Sequence, residues 1–124
     1  MTKRIKQEKP ISAWMPTFIW ASIILIFSVL PCKGYPPLAI GYFDKVAHFF
    51  EYAFLAALIV RSMCRTGRLS GMKISLFTLI LSGGYGIVME LVQRFVPGRD
   101  ASLYDVVANA AGTIFGIILG ILLL

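Results

Sequence analysis

Three stretches of this chain carry no charged side chain: residues 10–32, 74–89 and 106–124. A helix needs about 20 mostly apolar residues to cross a bilayer, and it satisfies its own backbone while doing so. The first and last stretches are long enough alone, and the middle one opens a third such helix. Composition agrees with that constraint. The 124 residues are 58% hydrophobic and 15% charged, where soluble domains carry about 25% charged residues. Mean hydropathy is +0.81. These figures exclude a disordered chain, a coiled coil and an ordinary water-soluble enzyme.

The pattern predicts an all-α, integral membrane bundle of four transmembrane helices. The first runs from about Ile11 or Trp14 to Leu30, with Pro10 and Pro16 in its first turns. Pro31, Gly34, Pro36 and Pro37 then form a loop. The second starts near Asp44, contains His48 and Glu51, and reaches about Met63. Gly67 and Gly71 interrupt helix in the loop 61–73. The third opens near Ile74 and ends near Gln93 or Phe95, before a Pro97-Gly98 turn. The fourth covers 106–124. Residues 1–9 read as a basic N-terminus and 10–124 as one membrane domain. With one histidine and no CxxC, a structural zinc site is excluded. Cys32 and Cys64 fall near opposite membrane faces, so no disulfide is expected between them. No cofactor and no metal is assigned.

The net charge of +6 comes from 12 Lys and Arg against 6 Asp and Glu. Eight of the basic residues lie in two places, residues 1–9 and the loop 61–73. Loops 31–45 and 94–102 hold the other four, Lys33, Lys45, Arg94 and Arg99. By the positive-inside rule the N-terminus, loop 61–73 and the C-terminus are cytoplasmic. The charge is therefore read as orientation, and a nucleic-acid partner is not expected.

Five of the six acids, all but Glu8, fall toward the outward ends of the helices, together with His48, Gln93 and Asn109. At about 100° per residue, His48 lies about 40° from Asp44, Glu51 about −20° and Tyr52 about 80°. Glu90, Gln93 and Arg94 lie within one turn of the third helix. On the fourth, Asp105, Asn109, Gly112, Gly116 and Gly120 share a sector of about 80°. An ionisable group at mid-bilayer costs about 2.5–3.5 kcal/mol. Eight apolar residues of the second helix return roughly 2–5 kcal/mol, which His48 and Glu51 largely cancel. The three polar stripes must therefore face one another and not lipid. As interhelical glue each group contributes only about 0.6–2 kcal/mol, and one or two would suffice. A shared polar pocket near the outer face fits nine better. The Gly112–Gly116–Gly120 ladder permits close helix packing, within the chain or against a second copy. Ser82-Gly83-Gly84-Tyr85-Gly86 reads as the complementary thin face.

Two blocks of residues resemble a known family. Asp44-Lys45-x-x-His48-Phe49-x-x-Tyr52 is similar to the first signature of the VanZ-like membrane proteins. Glu90-x-x-Gln93-x-x-x-Pro97-Gly98-Arg99, then Asp105-x-x-x-Asn109-x-x-Gly112-x-x-x-Gly116, is similar to the second. The resemblance implies a four-helix protein of the bacterial cytoplasmic membrane, linked through the family's namesake to teicoplanin tolerance. It carries Asp44, Lys45, His48, Tyr52, Glu90, Gln93, Arg99, Asp105 and Asn109 as the family's polar positions. Glu51 and Arg94 are added by helical phase alone.

Three functions compete on these residues. In the first, the pocket binds or processes an envelope lipid or lipid-linked glycan. His48, Glu90 and Asp105 are then the catalytic candidates, with Asp44, Lys45, Glu51, Tyr52, Gln93, Arg94, Arg99 and Asn109 binding. Arginine supplies a bidentate fork for phosphate or carboxylate, and burial raises a carboxylate toward a useful general base. In the second, the chain is a scaffold whose glycine faces hold a membrane protein or a second copy. In the third, it is a small proton or ion carrier, with an ion among Asp44, His48, Glu51 and Glu90. No charged group occupies the inner helix halves, which weighs against a crossing pathway.

Overall fold

The computed structural model describes residues 9–29, 37–67, 70–96 and 103–123, with the main chain alone for 37–44. Four helices make up these segments: α1 (Pro10–Val29), α2 (Pro37–Thr66), α3 (Gly71–Gln93) and α4 (Leu103–Leu123). No strand occurs among the described residues. All four helices are long and apolar enough to cross a membrane. The chain is a multi-pass membrane protein, and a lipid bilayer is its environment.

Burial runs opposite to that of a water-soluble domain. The sealed interior holds Thr17, Ser62, Thr78, Ser82, Glu90, Gln93, Asp105, Asn109 and Thr113. Phe18, Ile26, Phe50, Ile80, Ile87 and Ile118 point outward. Lipid solvates the apolar side chains without cost, so polar groups are driven to one another.

Three helix starts differ from expectation. Pro37 begins α2 instead of ending a loop. Proline lacks the N–H that a first helical turn leaves unpaired anyway, and its φ suits that position. The resulting 30 residues reach about 45 Å, so the first two turns precede the apolar span Lys45–Thr66. Gly71 likewise starts α3 rather than interrupting it, because Ser70 caps the helix by accepting from the Lys73 N–H. In α4, the first residue is Leu103, three positions ahead of the apolar run.

The α4 glycine ladder is filled from within the chain. A Cβ on Gly112 would lie 2.2 Å from the Phe49 carbonyl oxygen, and one on Gly116 2.1 Å from that of Ala53. Gly120 faces the Val60 side chain. α2 and α4 therefore run side by side at backbone contact. The complement of the ladder is α2 and not the glycine-rich stretch of α3: nothing comes within 4 Å of a Cβ on Gly83 or Gly84.

α1 lies along α2. Ser62 Oγ donates to the Ala13 carbonyl at 3.0 Å and lies 2.7 Å from Thr17 Oγ1. Trp20 Nε1 donates to the Glu51 carbonyl at 2.9 Å. Tyr85 of α3 donates to the Ala21 carbonyl.

Candidate functional site

The site forms in layers at one end of the bundle, where α2 and α4 enter and α3 leaves. His48 lies one turn inside the apolar span of α2, Glu90 one turn before the end of α3, and Asp105 in the first turn of α4. Short loops bring these three turns to the same level. One donor atom from each side chain lies within 4.8 Å of the others. All three are buried, at 3%, 5% and 2% exposure. The centre is thus enclosed by protein rather than displayed on a surface.

His48 stands between two carboxylates. Its Nε2 is 3.8 Å from Glu90 Oε1 and its Nδ1 is 3.8 Å from Glu51 Oε2. These are ion-pair separations, longer than a hydrogen bond. Glu51 is half-buried at the rim of the group, and its backbone is held by Trp20 of α1. An imidazole so placed can take a proton on one nitrogen and release one from the other.

One turn deeper sit Tyr52, Gly86 and Asn109. Helical spacing puts Tyr52 beneath His48 and Asn109 beneath Asp105. Glycine at 86 makes room for both: a Cβ there would lie 3.2 Å from the Tyr52 ring and 3.1 Å from Asn109 Nδ2. Tyr52 and Asn109 are buried, and neither the Tyr52 hydroxyl nor either amide atom of Asn109 has a hydrogen-bond partner. Gln93, on the turn after Glu90, is 2% exposed and its Nε2 is unpartnered too. Buried polar groups are normally satisfied, and these atoms find no partner among the described residues. A third layer closes it, where Ser82 and Thr113 hydrogen-bond at 2.7 Å.

Of the remaining sequence candidates, Lys45 and Arg94 lie outside this centre. Lys45 is half-buried at the rim, its Nζ 6.0 Å from the Tyr104 ring centroid. Arg94 is exposed, and its N–H closes α3 onto the Glu90 carbonyl. The Asp44 side chain and all of Arg99 lie outside the described residues, as does Cys32. Cys64 is a free thiol.

Sequence reasoning had no role for Thr113 or the Thr17–Ser62 pair, and read Ser82 and Gly86 only as part of a thin packing face. Small hydroxyls inside apolar runs leave no trace in hydropathy. Their signal was phase: Ser82, Gly86 and Glu90 recur every fourth residue on one face of α3.

A groove of about 300 Å³ runs between α3 and α4 beside these layers. Leu79, Ile80, Ile87 and Val106 line it, Gly83 and Gly84 deepen it, and Asn109 forms part of its wall.

A family model described as VanZ/LLP1 matches residues 2–124. The chain belongs to the VanZ/LLP1 family. The described polar residues of the two blocks fall on this site: His48 and Tyr52 of α2, Glu90 and Gln93 of α3, and Asp105 and Asn109 of α4. The chain is also similar to the uncharacterized protein C11E3.10 of fission yeast, with 30% identity over 105 residues. That alignment covers 84% of this chain and 63% of the yeast protein, so the chain spans less than two thirds of that relative. A relative of this chain therefore occurs in a eukaryote. No solved structure matches.

Proposed function

We propose that this VanZ/LLP1 protein binds a membrane lipid or lipid-linked glycan, with the polar head in the buried centre and a hydrocarbon chain in the α3–α4 groove. One observation carries the reading: the groove is apolar along its length and has unpartnered Asn109 in its wall. An amphiphile has that same division. Lys45 and Arg94 hold an anionic head from the rim, Arg94 through its planar guanidinium fork, and Arg99 is the sequence's further candidate for that role. His48, Glu90 and Asp105 form the reacting centre.

The glycine ladder favours this reading over a scaffold. Its residues are occupied by α2 of the same chain, which removes the surface a partner helix would use. A fungal relative supports a ligand class that bacterial and eukaryotic membranes share. In orientation, the eight basic residues of the N-terminus and loop 61–73 support cytoplasmic termini and a centre toward the outer face of the inner membrane.

The test is capture of a photoreactive, clickable phospholipid by the protein in native membranes. Wild type is expected to be labelled on α3 or α4, and Gly83→Phe, which fills the groove, to lose the label at equal membrane level. Equal labelling of both proteins overturns the groove. The finer link to glycopeptide tolerance is read from teicoplanin and vancomycin susceptibility in a deletion strain carrying wild type or Glu90→Gln. A shift for teicoplanin with wild type alone supports it. No shift with either drug removes it.

A further inference from the structure

We infer that His48, Glu90 and Asp105 hold a divalent transition-metal ion, Zn²⁺ or Mn²⁺. The ion is distinct from any lipid, and its binding needs none.

Geometry is the first argument. The His48 imidazole and the two carboxylates each present one donor atom within 4.8 Å of the other two. Nitrogen and oxygen ligands bind such ions at about 2.0–2.2 Å, so two ligands of one ion stand up to about 4.4 Å apart. The 3.8 Å between His48 Nε2 and Glu90 Oε1 falls inside that range, and the 4.8 Å that bounds the whole trio exceeds it slightly, so binding draws the carboxylates inward. The 3.8 Å separation is too long for a direct hydrogen bond.

Charge is the second argument. Two carboxylates buried at 5% and 2% exposure attract a dication far more strongly than they would in water, because the low dielectric around them screens charge weakly. The donor set selects its type. Two carboxylate oxygens suit Mn²⁺ or Mg²⁺, while an imidazole nitrogen favours Zn²⁺ and other transition ions.

The surroundings supply a third, independent argument. Asn109, one turn below Asp105 on the same face of α4, leaves both its Oδ1 and Nδ2 unpartnered at 2% exposure. An amide oxygen is a ready further ligand for such an ion, or a partner for water bound to it. On the opposite side of the imidazole, His48 Nδ1 faces Glu51 Oε2. A carboxylate behind a ligating histidine fixes the ring and strengthens its donor nitrogen. Glu51 is accordingly a positioning residue and not a ligand. The trio differs from the ion set considered from sequence, because α4 contributes Asp105 where phase on α2 had suggested Asp44 and Glu51.

The experiment uses the full chain, purified in detergent, stripped with chelator, and titrated with ZnCl₂, MnCl₂ and CoCl₂. Wild type is expected to retain about one ion per chain after desalting, by mass-spectrometric metal analysis. Co²⁺ is expected to give visible absorption bands that Zn²⁺ displaces. Glu90→Gln and Asp105→Asn conserve shape, and each should weaken binding at least about tenfold. Glu51→Gln should weaken it while keeping the stoichiometry. Cys32→Ser/Cys64→Ser should bind like wild type, which excludes a thiolate site. Wild type that holds no ion above the detergent blank overturns the inference. So does an ion retained at full affinity by the Glu90→Gln/Asp105→Asn double variant. Should that variant not be recovered folded, the wild-type cobalt spectrum decides: no bands, or bands unmoved by Zn²⁺, overturn it.

Discussion

α4 has two seams, and they are built to opposite ends. Against α2 it presents Gly112, Gly116 and Gly120, and the backbone of α2 fills the space their side chains would need. Against α3 the thin residues are Gly83 and Gly84, and nothing fills the space above them. The first seam is closed and apolar along its glycines. The second leaves a groove of about 300 Å³ with Asn109 in its wall. The same residue type locks one interface and opens the other. What differs is the face opposite: Ala53 and Ala56 of α2 allow approach, whereas no side chain covers Gly83 or Gly84, and Leu79, Ile80, Ile87 and Val106 line the groove around them.

The largest effect is expected from breaking the closed seam. Gly116→Leu forces a side chain into the Ala53 carbonyl, and neither helix backbone can yield locally. A loss of about 3 kcal/mol or more, seen as loss of folded protein in the membrane fraction, is the expected outcome. Gly84→Leu, the same change at the open seam, should leave folded yield and thermal midpoint near wild type. Equal damage from the two would erase the contrast.

Next in size is a change in the centre that spares the fold. Asn109→Ala removes an amide that makes no hydrogen bond, so stability should move by no more than about 1 kcal/mol. Lipid photolabelling should fall severalfold. A variant that unfolds while labelling stays proportional to folded protein would make Asn109 a packing residue.

The smallest effects belong to the hydroxyl pairs that tie helices together away from the centre. Ser82→Ala and Ser62→Ala each break an interhelical bond of 2.7 Å. Each should cost about 0.6–1.7 kcal/mol in a thermal or denaturant series. Ser62→Ala, far from His48, should leave lipid labelling and metal content unchanged. Ser82→Ala, directly beneath Asn109, should shift them slightly, which would show how deep the site extends.

Much of this was legible in the sequence for a local reason. Hydropathy summed over about 20 residues reports a membrane span whatever surrounds it, so four helices followed from composition and spacing. Helical phase put His48 with Tyr52 and Asp105 with Asn109, because residues four apart share a face in any helix. The polar identity of the site followed from the cost of ionisable groups in lipid.

Other features depended on which helix meets which. The sequence singled out His48, Glu90 and Asp105 on three converging stripes, but that their donor atoms come within 4.8 Å of one another depends on the packing. The glycine ladder was visible, yet its partner was not, since a flat face fits any complementary helix and α3 offered one on paper. The start of α2 at Pro37 depended on a proline that serves equally to begin a helix or to end one. Hydropathy and phase are properties of one segment. The metal-sized centre and the lipid-facing groove are properties of distances between segments, and only the packed bundle sets those.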